Sequence, residues 1–293
     1  PSPTGMQFSF GPEFSQLLPF RLPRILAAAG AGALLGGAGL IMQRVTGNPI
    51  ASPEVLGVSA GGGAGLAATL LLVGVASPAV MLFGMAAGAF VVFLVMIAFA
   101  ARKELSADRL LLSGIAMSAI SIGIVTIVSA QGDMRAFILL MWMAGSTNRA
   151  GAFEAWTAIT ALVVLTAPLL VMSRWLTILP LGGVLSKSIG MRLVPTRLAL
   201  AALAALMTAI ASFLVGPLSL AGLVAPHLAR LIGLQGARQQ LIASLLIGAA
   251  MLVAADWLSR VVIYPYQVPV GVFAALIGGP YLLWLLARME KRT

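Results

Sequence analysis

Only a few side chains of this chain could do chemistry, and they lie far apart. His227 is the only histidine and there is no cysteine, which excludes a cysteine nucleophile, a disulfide, a thiolate metal site and a histidine-rich metal site. No Asp or Glu lies within several residues of His227, which argues against a Ser-His-Asp arrangement. The phosphate-binding motif GxxxxGK[ST] and the zinc motif HExxH are missing. The sequence therefore indicates a structural role for His227, next to Pro226, and speaks against an enzyme.

Only one charged residue, Asp256, lies clearly inside an apolar stretch. Asp256 precedes Arg260 by four residues, which places both on one face of a helix and predicts an ion pair near its end. The other acidic residues lie at the ends of apolar stretches or between them: Glu13, Glu54, Glu104, Asp108, Asp133, Glu154 and Glu290. Ion-coupled transporters usually place ionisable groups within their helices. Coupling to an ion gradient is therefore poorly supported.

The elements that must carry these residues are apolar almost throughout. The 293 residues are 60% hydrophobic and 9% charged, whereas soluble domains carry about 25% charged residues. Such a chain cannot cover a water-exposed surface, so we predict an integral membrane protein and exclude disorder and a disulfide-stapled secreted fold. The net charge of +10 does not indicate nucleic-acid binding, because the basic residues alternate with long apolar runs.

The apolar runs predict an all-α fold, a bundle of transmembrane helices in a single domain over residues 1–293. A spanning helix needs about 17–25 mostly apolar residues, and nine stretches approach that length. They are Ile25–Met42, Val55–Val75, Val80–Ala101, Leu110–Ser129, Phe153–Met172, Leu198–Val215, Leu218–Ile232, Leu241–Trp257 and Val268–Ala287. The stretch Phe137–Ala144 is too short to span and is predicted to lie at the membrane interface or to re-enter.

Small residues recur at a spacing of four within these stretches. Examples are Gly32 and Gly36, Gly57, Gly61 and Gly65, and Gly84 and Gly88. Lipid gives no hydrophobic gain for helix pairing, so small residues that allow close backbone approach promote it. The glycine run that begins at Gly61 has no lysine and is interpreted as helix packing or a broken helix, and not as a phosphate loop.

The basic residues predict the orientation, since cytoplasmic loops carry the excess of Lys and Arg. With nine spans, one side carries Arg21, Arg24, Arg135, Arg149 and Arg260. The other side carries Arg44, Arg102, Lys103, Arg109, Arg174, Lys187, Arg192, Arg197, Arg230, Arg238, Arg288, Lys291 and Arg292. The second side is predicted to be cytoplasmic, so the chain starts outside and ends inside. The opening Pro1–Phe20 lacks a signal-peptide layout, so an outside start suggests the back half of a longer polypeptide.

Four stretches together resemble the permease family of ATP-driven importers for iron-siderophores and vitamin B12. Their order and spacing match the family over essentially the whole chain, and within the family they are most similar to the C-terminal half of fused ferric hydroxamate (ferrichrome) permeases of enteric bacteria. The stretches are Arg21-Leu22-Pro23-Arg24; Met42-Gln43 with Asn48-Pro49-Ile50-Ala51-Ser52-Pro53 and Leu56-Gly57-Val58-Ser59; Gly222-Leu223-Val224-Ala225-Pro226-His227-Leu228-Ala229-Arg230; and Asp256 to Arg260 with Val268-Pro269-Val270-Gly271 and Gly278-Gly279-Pro280.

The resemblance implies a set of site residues. Arg21, Arg24 and Arg260 would dock a periplasmic substrate-binding protein through its Glu residues, the alternative being lipid-headgroup anchoring. A loop over about Leu179–Pro195 would contact the ATPase through two short helices, with Leu181, Gly182, Gly183, Ser186, Lys187 and Gly190 as its residues. The family usually has an acidic residue where this chain has Gly183, so a salt bridge from that position is in doubt. The alternative is an ordinary basic loop.

The remaining motif residues divide into a gate and a structural set. Asn48 and Ile50 match positions that help close the cytoplasmic gate in the vitamin B12 relative, and Asn48-Pro49 predicts a break in the helix. Pro226, His227, Arg230 and Asp256 are structural motif residues in this interpretation. Ten helices per half, with both ends cytoplasmic, are typical of the family, so nine spans with an outside start correspond to a half without its first helix.

The leading hypothesis is the permease half of an ATP-binding-cassette importer that moves ferric hydroxamate siderophores from periplasm to cytoplasm across the bacterial inner membrane. The implied partners are a second permease half, two ATPases that hold the ATP and magnesium, a periplasmic binding protein, the ferric siderophore and the lipid membrane, with no nucleic acid. The permease itself is expected to bind no cofactor and no metal. The alternatives are an ion-coupled secondary transporter and the same importer carrying cobalamin, haem or another siderophore; an intramembrane enzyme is ranked lowest.

Overall fold

The computed structural model describes residues 12–100, 107–148 and 150–290, and these form twelve α-helices with no β-strand. Arg102, Lys103, Glu104, Arg149, Lys291, Arg292 and residues 1–11 lie outside these ranges. The helices are α1 (Pro12–Thr46), α2 (Val58–Leu72), α3 (Pro78–Ala100), α4 (Ala107–Ser129), α5 (Met134–Met143), α6 (Ala152–Val171), α7 (Ser173–Ile178), α8 (Gly183–Ser188), α9 (Leu193–Val215), α10 (Ser219–Leu231), α11 (Ala237–Val261) and α12 (Val270–Glu290). Short 3₁₀ helices cover Pro53–Leu56 and Leu179–Leu181.

All nine predicted spans are helical, and six of them are long and apolar enough to cross a membrane. These six lie within α1, α3, α4, α6, α9 and α11. The other three are shorter apolar helices over Val58–Leu72, Leu220–Leu231 and Val270–Tyr281. The stretch predicted to be too short for a span forms α5, which has ten residues. The predicted fold class is therefore confirmed, and nine remains an approximate number of spans.

Helix α1 is the central element of the bundle. It packs against α6, α9, α10 and α11, and 83% of its most apolar window is buried. The helix ends at Thr46 because Gly47 takes a left-handed φ of +66° and Pro49 follows two residues later. The corresponding windows of α3, α4 and α6 are less than a third buried. These helices lie at the periphery of the bundle, α6 against α1 and both α3 and α4 against α2.

The predicted glycine packing is confirmed at two helix pairs. A Cβ atom added at Gly32 would overlap the backbone of Gly248 on α11, and one at Gly36 would overlap Ser244. On the other pair, Gly65 of α2 meets Gly84 of α3 in the same way. Backbones at this separation make dense van der Waals contact, which is the main force that pairs helices in lipid. These glycines therefore position α11 on α1 and α3 on α2.

Two groups of helix ends come together in the bundle. Arg24 and Arg260 lie in one group, and Arg44 and Arg230 lie in the other. The start of α1 lies beside the α5–α6 connection and the end of α11, because Arg24 and Thr147 both bind Asp256. The end of α1 lies beside the end of α10 and the start of α11, because Gln43 binds Arg230 and Arg44 binds Gln240. We name these the outer end and the inner end, after the sides that the charges predict. They are about 30 Å apart along α1.

Candidate functional site

A cluster of charged side chains at the outer end is centred on Asp256. Its carboxylate is buried, with 1% of the side chain exposed, and it accepts a hydrogen bond from Arg24 Nε at 2.7 Å on Oδ1. Arg260 Nη2 lies 2.8 Å from the other oxygen, Oδ2. The Thr147 hydroxyl also donates to Oδ1. Asp256 therefore joins α1, α11 and the α5–α6 connection, and the ion pair predicted from its spacing to Arg260 is confirmed.

Arg24 is held on three sides. Besides Asp256, it donates from Nη1 to Gln267 Oε1 at 2.9 Å and from Nη2 to the Ser259 hydroxyl at 3.4 Å. Ser259 in turn donates to the Asp256 carbonyl oxygen at 2.8 Å. The sequence did not predict Thr147, Ser259 and Gln267 as partners, because each is distant from Arg24 along the chain and no spacing relates them to it.

A cleft of about 460 Å³ opens above this cluster. The three arginines predicted to dock a partner, Arg21, Arg24 and Arg260, all line it. The remaining lining residues are Trp257, Val261, Tyr264, Pro265 and Gln267. Among the described side chains at this cleft, three guanidinium groups face one carboxylate, which is an excess of two positive charges. Such a surface suits a partner that presents carboxylates, because a guanidinium binds a carboxylate with two parallel hydrogen bonds.

The three arginines differ in what they can offer a partner. Arg21 is exposed, Arg260 is partly buried against Asp256, and Arg24 is buried with each of its three nitrogens bonded to a neighbouring side chain. Arg24 therefore positions Asp256 and supports the floor of the cleft. Docking roles stay predictions for all three. Arg21 and Arg260 are the two whose side chains are accessible to a partner.

At the inner end, the chain leaves α1 through the segment of Asn48 and Ile50. Asn48 Oδ1 accepts a hydrogen bond from the Ile50 amide at 3.0 Å, and the Asn48 amide donates to the Thr46 hydroxyl at 3.3 Å. Asparagine is typical of such turns, because its side chain replaces a backbone partner. The turn leaves Ile50 half exposed, so an apolar side chain lies free at the inner end of the central helix. The predicted break at Asn48-Pro49 is confirmed; the gate role stays a prediction.

The predicted ATPase loop over about Leu179–Pro195 contains the 3₁₀ turn Leu179–Leu181 and one short α-helix, α8. The other short helix, α7, ends at Ile178, immediately before the predicted start of the loop. Gly182 (φ +92°) precedes α8 and Gly190 (φ +86°) follows it, and both need the left-handed conformations that glycine adopts without strain. Leu176 and Leu179 are buried in the core, so they fix the loop to the bundle. The loop lies beside the inner ends of α1 and α11.

One face of α8 is exposed and apolar. Val184 is 88% exposed, and Leu181, Leu185 and Ile189 are each about half exposed. Ser186, by contrast, is buried, and its hydroxyl donates to the carbonyl oxygens of Gly182 and Ile178. Of the loop residues predicted from sequence, Ser186 therefore shapes the loop, whereas Leu181, Lys187 and the neighbouring apolar residues face outward.

The motif Pro226, His227 and Arg230 lies in the last turns of α10 at the inner end. Arg230 Nη1 donates to Gln43 Oε1 of α1 at 2.6 Å, and Nη2 lies 3.3 Å from His227 Nδ1. The His227 ring packs edge to face on Tyr281 of α12, with ring centroids 5.8 Å apart. The motif therefore connects α10 with α1 and α12, and its structural role stays a prediction.

Glu54 is a titratable residue for which the sequence predicted no role. It lies in the 3₁₀ helix Pro53–Leu56, between α1 and α2, and its Oε1 atom is buried with no hydrogen-bond partner within the described ranges. Burial raises the pKa of Glu54 to about 7. Its position at the end of an apolar stretch gave no signal of burial, because the 3₁₀ turn folds it back against α4 and α10. Among the described residues, no three of His, Cys, Asp and Glu lie together as metal ligands would.

The chain is similar to a transport family and to several permeases of import systems. Residues 6–288 match the model of the FecCD transport family. The chain is 42% identical over 98% of its length to the iron(3+)-hydroxamate import system permease protein FhuB of Escherichia coli (strain K12), of which it covers 44%. It is 35% identical over 92% of its length to the vitamin B12 import system permease protein BtuC of Serratia proteamaculans (strain 568), of which it covers 81%. The chain thus spans less than half the length of its hydroxamate relatives.

The chain is also similar to a ferric citrate permease and to a solved transporter structure. The chain is 35% identical over 93% of its length to the Fe(3+)-citrate import system permease protein YfmE of Bacillus subtilis (strain 168), of which it covers 82%. Its fold is similar to a solved structure in an inward-facing conformation, assigned to the metal-chelate type of ABC transporter, with a TM-score of 0.86. That likeness covers 94% of this chain and 90% of the other at 23% sequence identity, so it shows the fold.

Proposed function

Because the chain belongs to the FecCD transport family, we propose that it is a transmembrane permease half of an ATP-binding-cassette importer for ferric hydroxamate siderophores. The observation that carries the substrate is the 42% identity to the hydroxamate permease along 98% of this chain, against 35% to the vitamin B12 and ferric citrate permeases. The proposed direction is from the periplasm to the cytoplasm, across the bacterial inner membrane, with the C-terminus in the cytoplasm.

The outer cleft is the proposed docking surface for a periplasmic binding protein. Its excess of positive charge, with Arg21 exposed and Arg260 at its rim, suits carboxylates on the partner. Complementary charge speeds the encounter and fixes the orientation of docking more than it adds affinity. Asp256 keeps Arg260 at the rim while balancing part of the charge. The cleft therefore delivers the binding protein to the outer ends of α1 and α11.

The exposed apolar face of α8 is the proposed contact with a cytoplasmic ATPase. Val184 and Leu185 are of the residue type that fills a groove on a partner, and α8 is too short to bury them itself. Because Leu176 and Leu179 connect the loop to the bundle core, a displacement of α8 reaches the inner ends of α1 and α11. In this proposal the ATPase holds ATP and magnesium, and the permease does no bond-breaking chemistry.

Transport then follows from a change in the relative stability of two states. ATP on the ATPases and the docked binding protein each favour one of the inward- and outward-facing conformations. A second permease half, fused or separate, completes the pathway between the two halves. Asn48 and Ile50 lie at the inner end of α1, where closure of that pathway against the cytoplasm is proposed.

The test is substrate uptake by the complete native gene product. It is expressed with its ATPase and binding protein in cells that lack their own ferric hydroxamate, ferric citrate and vitamin B12 permeases. Labelled ferric hydroxamate is expected to accumulate, and ferric citrate and cobalamin are not. Uptake should stop when ATP is depleted while the ion gradient is kept.

Each other outcome has a definite meaning. Accumulation of ferric citrate or cobalamin in place of the hydroxamate complex would agree with an importer and would contradict the proposed substrate. Uptake that survives ATP depletion would contradict the importer and favour a secondary transporter. The ratio of ATPase to permease chains in the purified complex then shows whether the two permease halves are fused. Two ATPase copies per single permease chain would indicate fused halves.

A further inference from the structure

Two arginines at the inner end are held side by side by neutral partners. Arg44, in the last turn of α1, donates from Nη2 to Gln240 Oε1 at 2.6 Å. Arg230, in the last turn of α10, donates from Nη1 to Gln43 Oε1 at 2.6 Å. Each glutamine amide is fixed in turn, because Gln240 Nε2 donates to the Leu234 carbonyl oxygen and Gln43 Nε2 to that of Leu223. Both glutamines are buried.

This arrangement orients the two guanidinium groups without neutralising them. A guanidinium has five N–H donors, and the glutamines use one on each arginine. Arg44 and Arg230 lie close enough to repel each other. The ion pairs formed among the described side chains involve neither of them. Two partly buried like charges held together are unfavourable unless an anion binds them.

Two more polar atoms beside Arg230 lack a partner. His227 Nε2 and the Tyr281 hydroxyl are buried, and neither has a hydrogen-bond partner in the described part of the chain. Arg230 can only donate, so its contact with His227 Nδ1 leaves the proton of a neutral ring on Nε2. The Tyr281 hydroxyl is within electrostatic range of Arg230. All four groups can therefore donate hydrogen bonds, which is the complement of a phosphate group with several acceptor oxygens.

The surroundings of this cluster are those of a lipid interface. Beyond Tyr281, α12 exposes Leu283 and Trp284, and the Tyr281 and Trp284 rings lie 5.9 Å apart. Leu231 and Ile232 are exposed at the end of α10 next to Arg230. Tyrosine and tryptophan at the ends of spanning helices mark the headgroup level, and basic pockets between such helices on the cytoplasmic side bind phospholipid headgroups.

We propose that Arg44, Arg230, His227 and Tyr281 bind the phosphate group of an anionic phospholipid at the inner end of the bundle. The guanidinium groups supply the charge, and His227 Nε2 and the Tyr281 hydroxyl gain the hydrogen bonds that they lack. The exposed apolar residues of α10 and α12 lie beside the acyl chains. This site is separate from the docking cleft and from α8, so it does not depend on the transported substrate.

The test measures lipid binding to the complete transporter, purified in detergent and depleted of lipid. Phosphatidylglycerol, phosphatidylcholine or inorganic phosphate is added, and bound ligand is counted by native mass spectrometry. The variants are the pair Arg44→Gln with Arg230→Gln, and Tyr281→Phe. The control is Arg238→Gln, which removes an exposed charge near the same end of α11.

Wild type and the control should bind phosphatidylglycerol. Their affinity for phosphatidylcholine should be lower by at least about tenfold. The arginine pair should weaken phosphatidylglycerol binding by at least about tenfold, and Tyr281→Phe by about threefold to tenfold, as loss of hydrogen bonds to a charged group predicts. Tyr281→Phe is expected to fold normally, because it removes only a hydroxyl that has no hydrogen-bond partner among the described residues. A loss of lipid binding in this variant would therefore not result from misfolding. A purely structural role of this cluster would leave lipid binding by that variant unchanged.

Three results would overturn the proposal. The first is phosphatidylglycerol binding that is equal in wild type and in either the arginine pair or Tyr281→Phe. The second is tight binding of inorganic phosphate without lipid selectivity, which would assign the cluster to a free anion. The third is loss of ATPase binding in the variants while lipid binding stays intact, which would assign it to a protein contact.

Discussion

At the residue scale, Asp256 is the most connected side chain of the outer end. A buried carboxylate pays a large desolvation cost, which two guanidinium groups and a hydroxyl offset here. If the carboxylate is removed, Arg24 stays buried without its counter-charge. We therefore expect Asp256→Asn to lower the free energy of unfolding by about 3 kcal/mol, measured by chemical unfolding in detergent.

The matched control for that variant is Asp133→Asn. Asp133 is exposed and caps α5 by accepting hydrogen bonds from the amides of Arg135 and Ala136. Asparagine caps a helix about as well as aspartate, so this change should be nearly neutral. An equal loss of stability in both variants would mean that the Asp256 ion pairs contribute little beyond general charge effects.

Glu54 predicts a pH dependence of stability. Its pKa is raised to about 7 from an ordinary 4.5, so the folded state holds the proton more tightly than the unfolded state. The stabilisation is complete below about pH 4.5 and is lost as the pH rises through 7, by up to about 3 kcal/mol. In melting experiments in detergent, wild type should lose stability relative to Glu54→Gln between pH 5 and pH 8. A constant difference between the two proteins over that range would disprove the raised pKa.

At the element scale, α8 is a short helix shaped by glycines and fixed by buried leucines, with an apolar face that nothing in the described chain covers. Ser186 is buried, so its substitution would disturb the folding of α8. Val184 is exposed, and its substitution is therefore the better test of the proposed contact with the ATPase. We expect Val184→Glu to reduce ATPase copurification and transport by at least about tenfold, because a buried unpaired charge is unfavourable in an apolar interface. Gln235→Glu, at the same end and also exposed, should leave both unchanged. Equal loss in the two variants would refute a specific role of α8.

At the scale of the whole molecule, the charge of the outer cleft should govern encounter with the binding protein. Arg260 also holds Asp256, so reversing its charge would disturb the fold as well as the surface. Arg21 is exposed, and its reversal is the cleaner test. Arg21→Glu should weaken binding-protein affinity by at least about tenfold, mainly through a slower, salt-sensitive association rate. Arg135→Glu, an outer-end control on α5, should leave the affinity unchanged in the same surface plasmon resonance assay.

Much of this molecule could be predicted from its sequence, for physical reasons. Hydropathy identified the spans because lipid demands apolar side chains, the spacing of Gly32 and Gly36 identified helix packing, and the motifs identified the family. The contact of Arg24 with Asp256 could not be predicted, because 232 residues separate them and only the packing of α11 on α1 joins them. The burial of Glu54 was missed because a 3₁₀ turn leaves no periodic pattern.

The central helix and α11 are fastened at both ends. Arg24 bonds to Asp256 at the outer end, Arg44 bonds to Gln240 at the inner end, and glycines bring the two backbones together between them. Two rods joined at both ends and in the middle can neither slide nor pivot against each other. We therefore expect the two helices to move as one rigid body, so that any hinge of the proposed transport cycle lies among the surrounding helices.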